Sequence, residues 1–220
     1  TNYDLRWEWF MSPGEVLAVS GFYKDFEKPI ETVIDLESGD GDAITYMNVP
    51  TGQVLGLELE AKKNLGFISD AMKYFAVSAN LSLINSKVDI PEEEYMVIQS
   101  RDSSASRTRP LFGQSDYIAN FDVSYENPEN GFAASLNFNT FGDRLAAVSY
   151  GATPNIYERS YGTLDFLTTK QFGDHFELSF SIRNILDPDI VQSQEFKGKE
   201  FVNSSYKIGR AIKFGVKYRL

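Results

Sequence analysis

The chain contains no cysteine and a single histidine, His175. Without thiols there is neither a disulfide framework nor a thiolate metal site, so the redox compartment stays open. No apolar run approaches the ~18 uncharged residues that a membrane-spanning helix needs, which excludes a helical membrane protein and leaves a barrel possible. Basic charge is also scarce: 21 Lys and Arg face 31 Asp and Glu across 220 residues, for a net charge of -10. Binding to nucleic acid needs clustered cations that displace counterions from phosphate, so that partner is excluded. No basic segment followed by an apolar one opens the sequence, so no signal peptide is read; for an exported protein this means a processed or truncated start. A glycine-rich phosphate loop and a cluster of metal ligands are missing as well.

What is present is alternation. Apolar residues make up 42% of the chain and aromatics 14%, enough for a folded chain. Tyr3, Leu5, Trp7 and Trp9 oppose Asp4, Arg6 and Glu8. Two tryptophans on one apolar face mark a membrane interface. After a Ser12-Pro13-Gly14-Glu15 turn, residues 16–25 return as a strand. Leu55, Leu57, Leu59 and Ala61 then face away from Glu58, Glu60 and Lys62, and Phe75, Val77, Ala79, Leu81 and Leu83 from Ser78, Asn80 and Ser82. Tyr117, Phe121, Val123 and Tyr125 oppose Asn120, Asp122 and Ser124, and the pattern recurs over 132–138, 160–171 and 176–182. From Tyr206 a last strand sets Ile208, Ile212, Phe214, Val216, Tyr218 and Leu220 against Lys207, Lys213, Lys217 and Arg219. Side chains on a strand alternate faces, so each segment presents an apolar row to one solvent and a polar row to another.

About nine strands result, joined alternately by short and long connections, the arrangement of outer-membrane barrels. The long breaks cover residues 28–50, 87–112, 141–158 and 187–204. A soluble sandwich has no reason to sort its loops this way. The expected fold is all-β, an antiparallel transmembrane β-barrel. Single-chain bacterial barrels have even strand numbers, and an open set of strands leaves unpaired edges in lipid at several kcal/mol per orphaned backbone group. Residues 1–220 are therefore expected to be the C-terminal portion of a larger barrel whose other strands lie upstream.

Several stretches carry a family resemblance. They are Leu5-Arg-Trp-Glu-Trp-Phe-Met-Ser-Pro-Gly-Glu15, Val19-Ser-Gly-Phe-Tyr-Lys-Asp-Phe-Glu-Lys-Pro-Ile-Glu31 and Gly56-Leu-Glu-Leu-Glu-Ala-Lys-Lys-Asn-Leu65. Gln114-Ser-Asp-Tyr-Ile-Ala-Asn-Phe-Asp-Val-Ser-Tyr-Glu126, Phe141-Gly-Asp-Arg-Leu145, Asn184-Ile-Leu-Asp-Pro188 and the terminal strand follow. In this order and spacing the chain resembles the C-terminal part of TonB-dependent receptors, especially the kind common in Bacteroidota. The ending also resembles the assembly signal of outer-membrane barrels, with Lys213, Gly215, Tyr218 and Leu220 at its positions. The resemblance implies a barrel of about 22 strands filled by a plug. It also implies location in the outer membrane of a Gram-negative bacterium and import of a scarce nutrient (siderophore, cobalamin, oligosaccharide or peptide) driven by the proton-motive force through TonB. The implied partners are the rest of the barrel and the plug, the TonB system, the barrel assembly machinery, and lipid with lipopolysaccharide. The plug and the TonB-contacting segment of the family precede the barrel, and so fall outside this chain. A passive porin or structural barrel is the alternative. No cofactor and no enzymatic role are implied.

Candidate residues follow from these faces. Glu58, Glu60, Lys62, Asn120 and Asp122 belong to polar rows, facing the lumen and either a plug or plain water. Asp143, Arg144, Tyr150 and Tyr157 lie on a long connection where aromatics can stack on a flat ligand, or where the charges simply brace the loop. The acidic stretch from Glu31 through Asp35, Glu37, Asp40 and Asp42 offers carboxylates on a glycine-containing loop to calcium, but it fits no EF-hand and reads first as a solvated loop. His175 sits beside a tight turn at the end opposite the long loops, the wrong end for an external catalytic site.

Overall fold

The period-two pattern produces strands long enough to cross a bilayer, and their backbone groups find partners only in one another. The computed structural model describes residues 1–35, 43–100, 103–150 and 153–219, without the side chains of residues 35, 43 and 150. In chain order the elements begin with β1 (Asn2–Ser12), β2 (Glu15–Glu27), β3 (Ile30–Asp35), β4 (Ala43–Asn48), β5 (Thr51–Asn64) and β6 (Phe75–Asp89). Helix α1 (Glu92–Gln99) leads to β7 (Thr108–Arg109), β8 (Tyr117–Asn127), β9 (Phe132–Phe141), β10 (Arg144–Tyr150) and β11 (Ile156–Glu158). Then come β12 (Gly162–Phe172), β13 (Phe176–Arg183), β14 (Ile190–Phe196), β15 (Lys199–Tyr206) and β16 (Ala211–Tyr218).

Nine of these strands form a wall in which each pairs antiparallel with the next: β1, β2, β5, β6, β8, β9, β12, β13 and β16, with the short β7 added beside β6. The outermost strands β1 and β16 pair on one side only, so the wall is open. Tight connections close one end. Gly14 and Gly131 adopt φ of 78° and 66° there, a region that favours glycine. Asn127 Oδ1 accepts from the amides of Glu129 and Asn130, which fixes the turn between β8 and β9.

The long connections are not loops, and this corrects the sequence reading. They hold β3 and β4, α1 and β7, β10 and β11, and β14 and β15. Six of these strands form a second sheet in the order β15, β14, β11, β10, β3, β4, with β10 parallel to β3. The terminal strand also starts later than its alternation suggested. Tyr206 ends β15, residues 207–210 turn with Gly209 at φ 83°, and the wall strand runs from Ala211.

Burial separates the two sheets. The fully buried side chains Glu31, Val33, Val49, Val88, Leu145, Val148 and Ser193 all lie on the long connections or at the wall's rim beside them. Wall residues such as Trp7, Trp9, Leu57, Phe121 and Phe214 stay exposed at 56%, 53%, 41%, 48% and 80%. An apolar surface of this extent belongs against hydrocarbon rather than water.

Candidate functional site

Register joins the rows of separate strands into two faces. On one, Trp9 pairs with Leu17, Leu17 with Ala61, Ala61 with Ala79, Ala79 with Phe121, Phe121 with Phe138 and Phe138 with Leu164. Toward the tight turns this face carries an aromatic pair, Phe75 packed edge-on to Tyr125 with centroids 4.8 Å apart, as a lipid headgroup layer selects. Toward the long connections Phe141 meets Tyr161 at 4.8 Å, but on the polar row, where Phe141 stands opposite Ile118, two residues from the Asn139–Asn120 pair.

The opposite face is hydrogen-bonded side chain to side chain. Asn139 Nδ2 donates to Asn120 Oδ1 at 2.5 Å, and Asn120 Nδ2 donates to Asn80 Oδ1 at 2.6 Å. Arg6 extends this row by donating to Glu60 at 2.7 Å and Glu8 at 2.6 Å. One row nearer the tight turns, Ser78 Oγ donates to Asp122 Oδ1 at 3.3 Å, with Lys62 and Asn137 in register beside them. Arg6 and Glu8 apart, these residues line a hollow of about 350 Å³. Of the lumen-facing candidates, Glu60, Lys62, Asn120 and Asp122 line it, whereas Glu58 lies one row further along the same face.

The long connections close into a cap over one end. Val33, Leu145 and Val148 form its core, with Met47, Phe112 and Tyr157 packed against them. Ion pairs lace its parts. Arg109 Nη2 meets Glu31 Oε2 at 2.5 Å and its Nη1 meets Glu94 Oε1 at 2.5 Å, all three side chains at most 4% exposed. Burial pushes the Glu94 carboxyl up from its usual range, against the pull of Arg109. Arg159 donates to Asp143 at 2.7 Å and to Ser193 at 2.6 Å, and lies 2.8 Å from Glu200. The hydrogen bond to Asp143 raises the pKa of Arg159 further, so it is always charged.

Glu31, read as part of a solvated acidic loop, is buried on β3 and committed to Arg109. Glu37, Asp40 and Asp42 lie outside the described residues, as does the side chain of Asp35, so the calcium candidates fall there. Asp143 and Arg144 are engaged with Arg159 and Glu158, and the Tyr157 ring is packed on the cap core, its phenol pKa raised by burial. The side chain of Tyr150 lies outside the described residues, as does Leu220. Lys213, Gly215 and Tyr218 stand on β16 opposite Ser181, Ser179 and Phe176. His175 Nδ1 lies 2.9 Å from the carbonyl of Arg219, close to the chain end. Arg109, Glu94 and Arg159 escaped the sequence reading. The one available signal was Pro91 followed by Glu92, Glu93 and Glu94, a helix start that places Glu94 in the first turn.

A wall with one apolar exposed face, one polar hollowed face and connections sorted by length defines the outer-membrane barrel class. Residues 1–185 match the family model described as "TonB dependent receptor-like, beta-barrel", and the chain belongs to that family. Its members are outer-membrane proteins of Gram-negative bacteria and serve as receptors and transporters. Among solved structures the chain is similar to the copper transporter OprC, with TM-score 0.67 and 16% identity over 99% of this chain and 31% of that one. It is also similar to the unliganded ferric citrate transporter FecA, with TM-score 0.66 and 13% identity over 99% and 31%. The ferric yersiniabactin uptake receptor FyuA from Yersinia pestis gives 0.63 and 17% over 99% and 29%. This chain thus spans under a third of the length of each. No curated protein matches it in sequence.

Proposed function

We propose that this chain is the C-terminal barrel portion of a receptor that imports a scarce nutrient across the outer membrane, energised through TonB by the proton-motive force. The nutrient belongs to the siderophore, cobalamin, oligosaccharide or peptide classes. The upstream part of the protein supplies the remaining strands and a plug. Glu58, Glu60, Lys62, Asn120 and Asp122 then meet plug or passing solute on the lumen side, and β16, ending in Tyr218, is the strand read by the barrel assembly machinery.

The supporting observation is the hydrogen-bonded polar face, hollowed over about 350 Å³ on a wall whose other face is apolar. A hydrated pore and a plugged transporter share such a wall. Liposome swelling separates them: the complete protein, reconstituted and challenged with arabinose, gives no swelling if plugged, and rapid swelling if it is a passive porin. Co-purification of the periplasmic domain of TonB with the complete protein is the second expected result.

A further inference from the structure

The first long connection places Glu31 on β3, and the second places Glu94 on α1 and Arg109 on β7. One guanidinium therefore serves two carboxylates, and water is excluded from all three. The count is unbalanced in atoms as well as charge. Glu31 Oε1 and Glu94 Oε2 are buried with no hydrogen-bond donor among the described residues. A buried oxygen without a donor costs about 1–3 kcal/mol, more when charged, so a cap closed around two ionised carboxylates is held under tension.

We infer that the Glu31–Arg109–Glu94 cluster is a proton-responsive latch between the first two external connections: uptake of one proton favours the closed cap, and its loss favours their parting. Among the described residues, other groups do not override the excess carboxylate. Tyr157 on β11 approaches Arg109 but is a neutral phenol, and Arg159 beyond it is bound to Asp143 and Glu200. Arg107 is occupied by Glu92 at 2.7 Å and lies over the Tyr95 ring at 4.4 Å. The sign follows from the carboxyl left over. Burial raises Glu94 above its ordinary value of 4.5 in the closed cap, outweighing the downward pull of Arg109 and helped by a smaller push from Glu31, whereas opening rehydrates it. The closed form thus holds its proton more firmly than the open form. That contribution to closure is complete below the ordinary value and is lost as pH rises through the raised one.

The absence of cysteine provides the test. In the complete protein, freed of any other thiol and held in outer-membrane vesicles, Val33→Cys reports opening, because Val33 is 2% exposed beside the latch. Ile44→Cys, 68% exposed at the cap's edge, gives the intrinsic reactivity at each pH. The normalised rate of N-ethylmaleimide labelling should rise as pH is raised above the ordinary carboxylate range, approaching about tenfold per pH unit where one proton is linked. Glu94→Gln should flatten that profile at the slow, acid level, while Glu92→Gln leaves it unchanged. If Val33→Cys fails to assemble, Val49→Cys, 0% exposed, serves in its place. A flat wild-type profile, or the wild-type slope persisting in Glu94→Gln, overturns the latch. The labelling reads cap opening in transporter and porin alike, so the test is independent of the import proposal.

Discussion

Glu31 and Arg109, 78 residues apart in the chain, meet at 2.5 Å with side chains 0% and 4% exposed, and so tie the first long connection to the second. Replacing Arg109 by Met leaves two carboxylates buried without a counter-charge. Such a loss costs about 3–5 kcal/mol, which the cap relieves by opening rather than by unfolding the wall. Hydrogen exchange on the complete protein should show protection lost over β3, α1 and β7 and retained in β5, β6 and β8. Uniform loss across both sheets would contradict an independent cap.

The two faces of the wall predict opposite tolerance to charge. Leu57→Arg or Phe121→Arg places a cation in hydrocarbon, at about 2–4 kcal/mol near the bilayer midplane. Asn120→Arg, facing the hollow, should be mild. Urea titration of the complete protein refolded into lipid vesicles measures the difference, and equal effects at the three positions would reverse the assignment of faces.

Gly56 lies beneath the Phe22 ring, its cross-strand partner, and a Cβ added there would run into the ring's edge. Gly56→Val should cost about 1–3 kcal/mol as overpacking. Combining it with Phe22→Ala should recover part of that loss, because the obstacle is then removed. A double-mutant cycle showing simple additivity would mean that the ring was never in the way.

Arg159 joins Asp143 on the third connection to Ser193 and Glu200 on the fourth through a planar fork. Lysine keeps the charge and loses the fork, so Arg159→Lys should weaken this seam by about 1 kcal/mol. Faster proteolytic nicking of the turn between β14 and β15, with the wall intact, is the expected readout.

The wall was legible because lipid on one side and water on the other impose a strict period of two, and residues such as Leu55 to Ala61 or Phe176 to Ile182 obey it. Strand boundaries failed where the period outlasted the pairing. Ile208 is in phase with Ile212, yet a turn at Gly209 separates β15 from β16. The cap strands were illegible for a different reason. Val33, Leu145 and Val148 are buried by one another across more than a hundred residues, and no local pattern announces such a meeting. The shared polar face of Glu60, Lys62, Asn120 and Asp122 could be read because each lies on a long alternating strand. Arg109, on a two-residue strand, had no periodicity to betray it.

The parallel pairing of Val33 with Val148 sets a timetable for folding. Four staves, β5, β6, β8 and β9, are made between the two halves of that pair, and the ends cannot be brought together until those staves have zipped. The lid must be completed late, on a tub already standing, and the mouth beneath it stays open until the third long connection has folded into place.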